Sequence, residues 1–183
     1  MKATIIGDQP LEKFPSFEYD HSYGLNYAAS KRNTQFAFTG HQKVYDTYIH
    51  LGILDIIGID PTFEGRKFPD LLDVIRFDPH QAHNYDCSED YAMRYVIAAI
   101  AGEDIAYPNR MTILHLAMFY CLKKGYTEID LLACANNYDE LGSISQDHER
   151  GNAPYMRAFT GAIVACAARC GVKINWIKQE TTT

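Results

Sequence analysis

The chain lacks the features that mark several common classes of protein. Its 183 residues carry a formal net charge of −6, which repels nucleic-acid backbones and anionic lipid headgroups, and no basic patch interrupts it. We therefore expect no nucleic-acid partner. No segment approaches the roughly 18 consecutive apolar residues that a membrane-spanning helix needs, so no membrane span is expected. The first residues are typical of a strand that opens the fold and not of a secretory signal.

Paired cysteine motifs are absent as well. None of the five cysteines forms the Cys-x-x-Cys spacing of a zinc or redox site. This pattern predicts free thiols in a reducing compartment and hence a cytoplasmic protein. The composition, 47% hydrophobic and 22% charged, is that of an ordinary globular chain in the size range of one domain. We expect a single domain over residues 1–178, followed by a disordered tail at 179–183.

Three widespread site motifs are also missing. Gly7-Asp8-Gln9-Pro10 is not the Gly-x-Gly-x-x-Gly fingerprint of dinucleotide-binding domains, and no Walker phosphate loop occurs. A Gly-x-Ser-x-Gly nucleophile elbow is absent too, which disfavours hydrolases of that class. Any nucleotide site in this chain therefore has to be built differently.

What the chain does contain is a regular alternation of strand and helix patterns. The expected strands are Lys2–Ile6, Gln35–Thr39, Leu54–Ile59, Leu71–Phe77 as an edge strand, Glu128–Ala135 as a central strand, and Val172–Ile177. The expected helices run from Ser22 to about Lys31, His41 to Leu51, Ser88 to Gly102, Arg110 to Lys124 after an Asn109 cap, and Pro154 to Cys170. This alternation predicts an α/β fold, a Rossmann-like three-layer domain with a mostly parallel sheet.

Small and polar residues follow several of these strands. In open α/β sheets, ligands bind beyond the carboxyl ends of the strands, where helix N-termini point at anions. We therefore expect a site built from strand-end segments, namely Gly7-Asp8-Gln9, Thr39-Gly40-His41-Gln42, Asp60-Pro61-Thr62 and Asn136-Asn137-Tyr138.

Asp8 has three open interpretations. A carboxylate at the first strand end repels an anionic ligand unless a divalent cation lies between them. Asp8 therefore binds a metal, accepts a hydrogen bond from a ligand hydroxyl, or caps a turn. No residue is assigned as a metal ligand from the sequence alone.

Histidines supply the candidates for acid–base chemistry. His148 lies in a polar loop after the expected central strand, where an imidazole could act as a general acid or base. His115 falls on the apolar run of a helix and is expected to be a core residue. The spacing His80, His83, Asp86 and Cys87 lacks a second half at zinc-site spacing, so a structural loop is favoured there.

In its order of motifs, the chain resembles a superfamily of Rossmann-like proteins. Its members are bacterial CMP-sialic-acid sialyltransferases, motility accessory factors and hydroxymethylpterin pyrophosphokinases. The similar segments are Gly7-Asp8-Gln9-Pro10-Leu11, Gly24-Leu25-Asn26, Asn109-Arg110-Met111-Thr112, the run from Gly125 to Leu132, Asn137-Tyr138, and Gly171-Val172-Lys173-Ile174. The chain departs from the transferase pattern at Asp8, which replaces an Asn, and at Ile113-Leu114, which replaces Ser-Gly.

The resemblance implies a transferase, glycosyltransferase-like, that moves a group from a nucleotide or nucleotide-sugar donor to a hydroxyl acceptor. His148 would remove the acceptor proton. Nucleotide-binding residues would be Gly7, Asp8, Gln9, Asn26, Gly40, His41, Thr112, Asn136, Asn137 and Tyr138.

Two alternatives stay open. One is a magnesium-dependent pyrophosphokinase-like phosphotransferase, in which Asp8 and Asp60 hold Mg²⁺. The other is a non-catalytic nucleotide-binding or assembly module, in which the changed Ser-Gly position reflects lost chemistry. Its many aromatic side chains could then serve an interface, such as that of a homo-oligomer.

Overall fold

The computed structural model describes residues 1–8, 18–60, 67–82, 86–109, 111–134 and 153–177. In that part of the chain the strands are β1 (Lys2–Ile6), β2 (His21–Leu25), β3 (Phe36–Thr39), β4 (Ile56–Ile59), β5 (Asp73–Ile75), β6 (Phe77–Ala82), β7 (Tyr107–Asn109), β8 (Glu128–Leu132) and β9 (Lys173–Ile177). The helices are α1 (Tyr27–Lys31), α2 (Gln42–His50), α3 (Glu89–Ile100), α4 (Ile113–Lys123) and α5 (Ala153–Arg169).

Seven of these strands form one parallel sheet, the main sheet. Its order is β5-β4-β3-β2-β1-β8-β9, and every neighbouring pair is parallel. Helices α1 and α2 pack on one face of the sheet, and α4 and α5 pack on the other. Helix α3 packs against α4 and α5. The α/β, Rossmann-like fold expected from the sequence is therefore confirmed.

The core residues of the sheet follow its two-residue period. On one face, Ile5, Phe38 and Leu131 are fully buried among the residues of α3, α4 and α5. On the other, Ala37 and Ile56 pack with α1 and α2. Helices α2, α4 and α5 lead into β4, β8 and β9. These helices therefore end at the amino ends of the strands, which we call the amino edge, and their own N-termini lie at the opposite, carboxyl edge.

Strand β2 corrects the sequence prediction of a helix from Ser22 to Lys31. Ser22 was expected to cap that helix, but its hydroxyl accepts the backbone N–H of Gln35 at 2.9 Å instead. Tyr23 and Leu25 join the core while Ser22 and Gly24 face the other way, which is a strand pattern. Only Tyr27–Lys31 is helical, so the tertiary partner outweighed the local capping preference.

Two further boundaries differ from the expectation. Asn109 belongs to β7, and Thr112 caps α4 by accepting the N–H of His115 at 3.3 Å, so the helix begins three residues later than Arg110. Strands β6 and β7 form a separate two-stranded parallel sheet that the sequence analysis missed.

The predicted strand at Glu128 is present but lies one strand from the edge of the main sheet, beside β9, and is not central. The predicted edge strand is confirmed, since β5 ends the sheet. None of the helices in the described part of the chain combines the length and apolarity that crossing a bilayer requires. The tail expected at 179–183 lies outside the described residues.

Candidate functional site

The strand order creates one topological switch point, between β1 and β8. From β1 the chain moves outwards through β2, β3, β4 and β5, and later returns to place β8 on the other side of β1. Open parallel sheets bind ligands at such a point, beyond the carboxyl ends of the strands. The residues directly after β1 and β8 therefore mark the first place to look for a site.

Backbones approach closely at this switch point. The Gly7 N–H donates to Leu132 O at 2.9 Å, and a Cβ added to Gly7 would lie 2.3 Å from Ala133 O. Ala133 itself has φ 51°, a left-handed conformation that costs free energy in a residue other than Gly. A glycine is required at position 7 because a side chain would push the two strand ends apart.

The turn after β2 is the second unusual feature of the carboxyl edge. Asn26 has φ 46° and ψ −129°, a region that favours glycine. Its backbone is fixed on both sides, since its N–H donates to Phe38 O at 2.8 Å and the Tyr48 hydroxyl donates to its carbonyl oxygen. Gly24 allows the sharp turn because a Cβ there would meet Ala29 Cα at 2.7 Å.

The side-chain amide of Asn26 adds an unsatisfied acceptor at this turn. Oδ1 is inaccessible to solvent and has no hydrogen-bond partner among the described residues. A buried amide oxygen without a partner costs about 1–3 kcal/mol. Strain and an unsatisfied acceptor at one residue are typical of a site that is completed by a ligand.

Asp8 lies in an ion pair. Lys31 Nζ contacts its two carboxylate oxygens at 2.7 and 2.9 Å, and the Asp8 side chain is 15% exposed against 57% for Lys31. Arg32 Nη1 donates to Gly7 O at 2.9 Å. Burial, followed by the nearby Asp8 carboxylate, raises the pKa of the Tyr48 hydroxyl well above its ordinary value. These groups therefore lie together around the end of β1.

The electrostatic balance of this group is positive. Two cations, Lys31 and Arg32, lie beside one carboxylate, Asp8, so the local charge is the opposite of the chain's net −6. Burial lowers the pKa of Arg32, and the Asp8 carboxylate opposes that shift. Even with a lowered pKa, the Arg32 guanidinium stays charged at neutral pH. The arrangement can attract a ligand that carries phosphate.

The predicted segment Thr39-Gly40-His41-Gln42 leads into α2. Thr39 Oγ1 accepts the N–H of His41 at 3.1 Å, which fixes the turn, and Gly40 is buried. His41 precedes α2 as its N-cap without a capping side-chain bond. This segment follows β3, the neighbour of β2, and so it shares the carboxyl edge with Asn26.

Thr112 lies at the same edge, on the α4 face. Because its oxygen caps α4, its hydroxyl is engaged in holding the helix start. His115 is fully buried, with Nε2 3.0 Å from Thr160 Oγ1, which confirms it as a core residue.

Magnesium held jointly by Asp8 and Asp60 does not fit the strand order. These residues follow β1 and β4, which are three strand positions apart, or about 14 Å at ordinary strand spacing. The structure offers no group of three His, Cys, Asp or Glu side chains suited to a metal ion within the residues it describes. Asp8 is instead neutralised by Lys31.

Cys134, directly beyond β8, is not a nucleophile. Burial raises the pKa of its thiol to about 12, so the reactive thiolate is scarce at neutral pH. All five cysteines are free thiols, as the sequence analysis expected.

The structure brings part of the predicted site together. The predicted residues that share the carboxyl edge are Gly7, Asp8, Asn26, Gly40, His41 and Thr112. The others lie outside the described residues, namely Gln9, Asn136, Asn137, Tyr138 and His148. Sequence reasoning missed Lys31, Arg32 and Tyr48. The only available signal was the Lys31-Arg32 pair itself, which was assigned to the end of a longer helix.

Comparisons of the chain with models of protein families, with curated proteins and with solved structures find no match. The resemblance to the sialyltransferase superfamily therefore stays a prediction from motifs.

Proposed function

We propose that this protein is a nucleotide- or nucleotide-sugar-binding transferase, glycosyltransferase-like, that moves a group from an activated donor to a hydroxyl acceptor. The observation that carries the proposal is Asn26, where a strained backbone and a buried, unpartnered Oδ1 meet at the carboxyl edge of a parallel sheet. Natural proteins retain strained backbones and unpaired buried polar groups mainly where these features serve a function.

The chemistry of the edge favours a nucleotide over simpler ligands. Asn26 Oδ1 needs a donor, which a ribose hydroxyl or a base amino group supplies. Lys31 and Arg32 offer positive charge, which suits phosphate. A nucleotide carries both kinds of group at once, whereas a bare sugar lacks the phosphate and inorganic phosphate lacks the sugar and base.

Transfer from such a donor releases a nucleotide whose phosphate gains negative charge. Lys31 and Arg32 would stabilise that charge, and electrostatic stabilisation of this kind is a large part of enzymatic rate enhancement. In this proposal His148 removes the proton from the acceptor hydroxyl, because an imidazole titrates near neutral pH.

We further propose a cytoplasmic setting. The support is that no cysteine is in a disulfide and that Cys121, Cys134 and Cys166 are fully or almost fully buried as thiols. Reducing compartments keep thiols in this form.

A thermal-shift screen tests the function directly. The purified protein is heated with CMP, CDP, UDP, ATP, GTP, NAD or S-adenosylmethionine, each with magnesium and with EDTA. At about 100 times Kd a ligand adds about 2.7 kcal/mol of stability, or about 5–10 °C in Tm for a chain of this size. We expect CMP or CDP to raise Tm in EDTA.

Matched variants localise the effect. N26A should lose the shift, while R169Q, which removes a surface ion pair between α5 and α3, should keep it. A shift with ATP that requires magnesium would replace the transferase by a phosphotransferase. No shift with any compound would contradict nucleotide binding and leave an assembly module.

A further inference from the structure

The Asp8–Lys31 ion pair lies beside the switch point, where open parallel sheets bind their ligands. Asp8 follows β1 directly, at the switch point, and it is mostly buried while Lys31 is more than half exposed. The ammonium group contacts the two carboxylate oxygens. A solvent-accessible lysine is thus held in a fixed position by an internal anion.

The short first helix keeps this lysine at the carboxyl edge. Helix α1 has five residues, about 7.5 Å of helix, so its last residue stays within reach of the strand end. The next residue, Arg32, turns back to the Gly7 carbonyl oxygen at 2.9 Å. A helix of ordinary length would carry these cations to the amino edge.

We propose that Asp8 is an internal competitor for the ligand: a phosphate group displaces its carboxylate from Lys31 and binds to Lys31 and Arg32 in its place. This inference rests on the proposed function and names the part of the ligand that the edge recognises, a phosphate or diphosphate that binds without a divalent ion. A dianionic phosphate attracts the ammonium more strongly than a carboxylate does. Lys31 is therefore positioned before the ligand arrives, and Asp8 sets how tightly a ligand must bind to take it.

Opposite effects of two single variants distinguish exchange from a structural ion pair. The probe is inorganic pyrophosphate, titrated by calorimetry in EDTA into the wild type, D8N and K31Q. D8N removes the competitor, so affinity should rise about three- to tenfold. K31Q removes one charge-assisted hydrogen bond, so affinity should fall about tenfold.

Two controls accompany the titration. K31R keeps the charge and should bind within about threefold of the wild type, whereas R169Q alters an ion pair remote from the edge and should bind as the wild type does. Because the Lys31 side of the pair is exposed, D8N and K31Q should melt within a few degrees of the wild type. The melting temperature of each variant verifies this.

The outcomes separate this inference from the proposed function. Wild-type binding that falls in both D8N and K31Q, or that requires magnesium, would overturn the exchange and leave nucleotide binding intact. The exchange would also be overturned if CDP raised the Tm of the wild type while pyrophosphate bound neither the wild type nor D8N. If no compound in the nucleotide screen raised Tm, the proposed function itself would be contradicted.

Discussion

The amino and carboxyl edges of the main sheet differ in the residue types that adopt the left-handed backbone conformation. At the amino edge, α2, α4 and α5 are each followed by a glycine with positive φ, namely Gly52, Gly125 and Gly171. Glycine adopts this conformation without steric cost. At the carboxyl edge, the positive-φ positions found among the described residues hold Asn26 and Ala133, for which it is strained.

Hydrogen bonding follows the same division. At the amino edge, the Tyr126 hydroxyl lies 2.7 Å from both His21 Nδ1 and the Tyr23 hydroxyl, and Tyr120 donates to Asp73, which also pairs with Lys124. Each of these polar groups is matched. At the carboxyl edge, Asn26 Oδ1 is unmatched within the described residues.

The amino edge stabilises the fold, whereas the carboxyl edge contains features that destabilise it. The amino edge has unstrained helix ends and paired polar groups, which is what stability alone favours. The carboxyl edge retains strain, an unpaired acceptor and a positive cluster, which stability alone does not explain. We therefore assign function to the carboxyl edge, and the following variants challenge that assignment.

The largest effect is expected for G7A. The added Cβ would lie 2.3 Å from Ala133 O, and neither backbone can move without disrupting the β1–β8 pairing. Overpacking of this kind costs about 1–3 kcal/mol or more, and a rigid backbone neighbour places G7A at the upper end. Thermal unfolding should show a Tm lower by about 6–12 °C. An unchanged Tm would contradict the close approach of the two strand ends.

At the amino edge, Y126F should cost more than Y23F. Removing the Tyr126 hydroxyl leaves Tyr23, which is 3% exposed, with a buried unpaired hydroxyl at a cost of about 1–3 kcal/mol. Y23F leaves Tyr126 paired with His21 and should cost about 1 kcal/mol.

The double variant Y23F/Y126F completes the cycle. It should be more stable than the sum of the single effects predicts, because no hydroxyl is left unpaired. Urea unfolding of the four proteins measures this. Strict additivity would show that the two hydroxyls do not depend on each other.

Exchange of Asn26 should separate stability from binding. Glycine adopts φ 46° without strain, so N26G should be more stable than N26A by about 1 kcal/mol or more. Both variants should lose the nucleotide-dependent Tm shift, because both lack the amide oxygen. If N26G kept the full shift, the Asn26 side chain would have no part in the site.

The smallest effect concerns the pH dependence of the Asp73 pair. Burial opposes the change, but hydrogen bonds from Lys124, Val74 and Tyr120 together lower the pKa of Asp73. A lowered folded-state pKa adds stability above the unfolded value of about 3.9, and that stability is lost as pH falls through the folded pKa.

The test is D73N compared with the wild type across pH. The pair is partly exposed, so D73N should cost at most about 1 kcal/mol at pH 7. The difference in Tm should shrink as the pH falls below the unfolded pKa of about 3.9 and through the lowered folded pKa. A difference that stayed constant throughout the acidic range would show that the Asp73 charge adds nothing.

The sequence predicted the fold better than the site. Helix starts with a local signal were found, such as Ser88, whose side chain accepts the Tyr91 N–H at the start of α3. Ser22 carries the same local signal yet lies in a strand, because its hydroxyl bonds Gln35 across the sheet. A single sequence contains no information on which of these two partners is available.

The site was predicted in its location but not in its charges. Gly7 and Asp8 were expected at a strand end, which is visible in the hydrophobic pattern. Asn26 was named only through the resemblance and lay within the helix expected from Ser22 to Lys31. Lys31 and Arg32 reach the site because α1 stops after five residues, and the sequence analysis extended that helix backwards to Ser22. Tyr48 reaches the site because α2 packs beside the turn at Asn26. Tertiary packing of this kind leaves no signal in the local sequence.

The most direct measurement of the central claim is an amide NMR titration of the ¹⁵N-labelled protein with CDP in EDTA. The account predicts shifts for the amides of Gly7, Asp8, Asn26 and Gly40 at the carboxyl edge, and none for Gly125, Thr127 and Lys173 at the amino edge. Shifts concentrated at the amino edge would contradict it, as would CDP binding that left Asp8 and Asn26 unchanged.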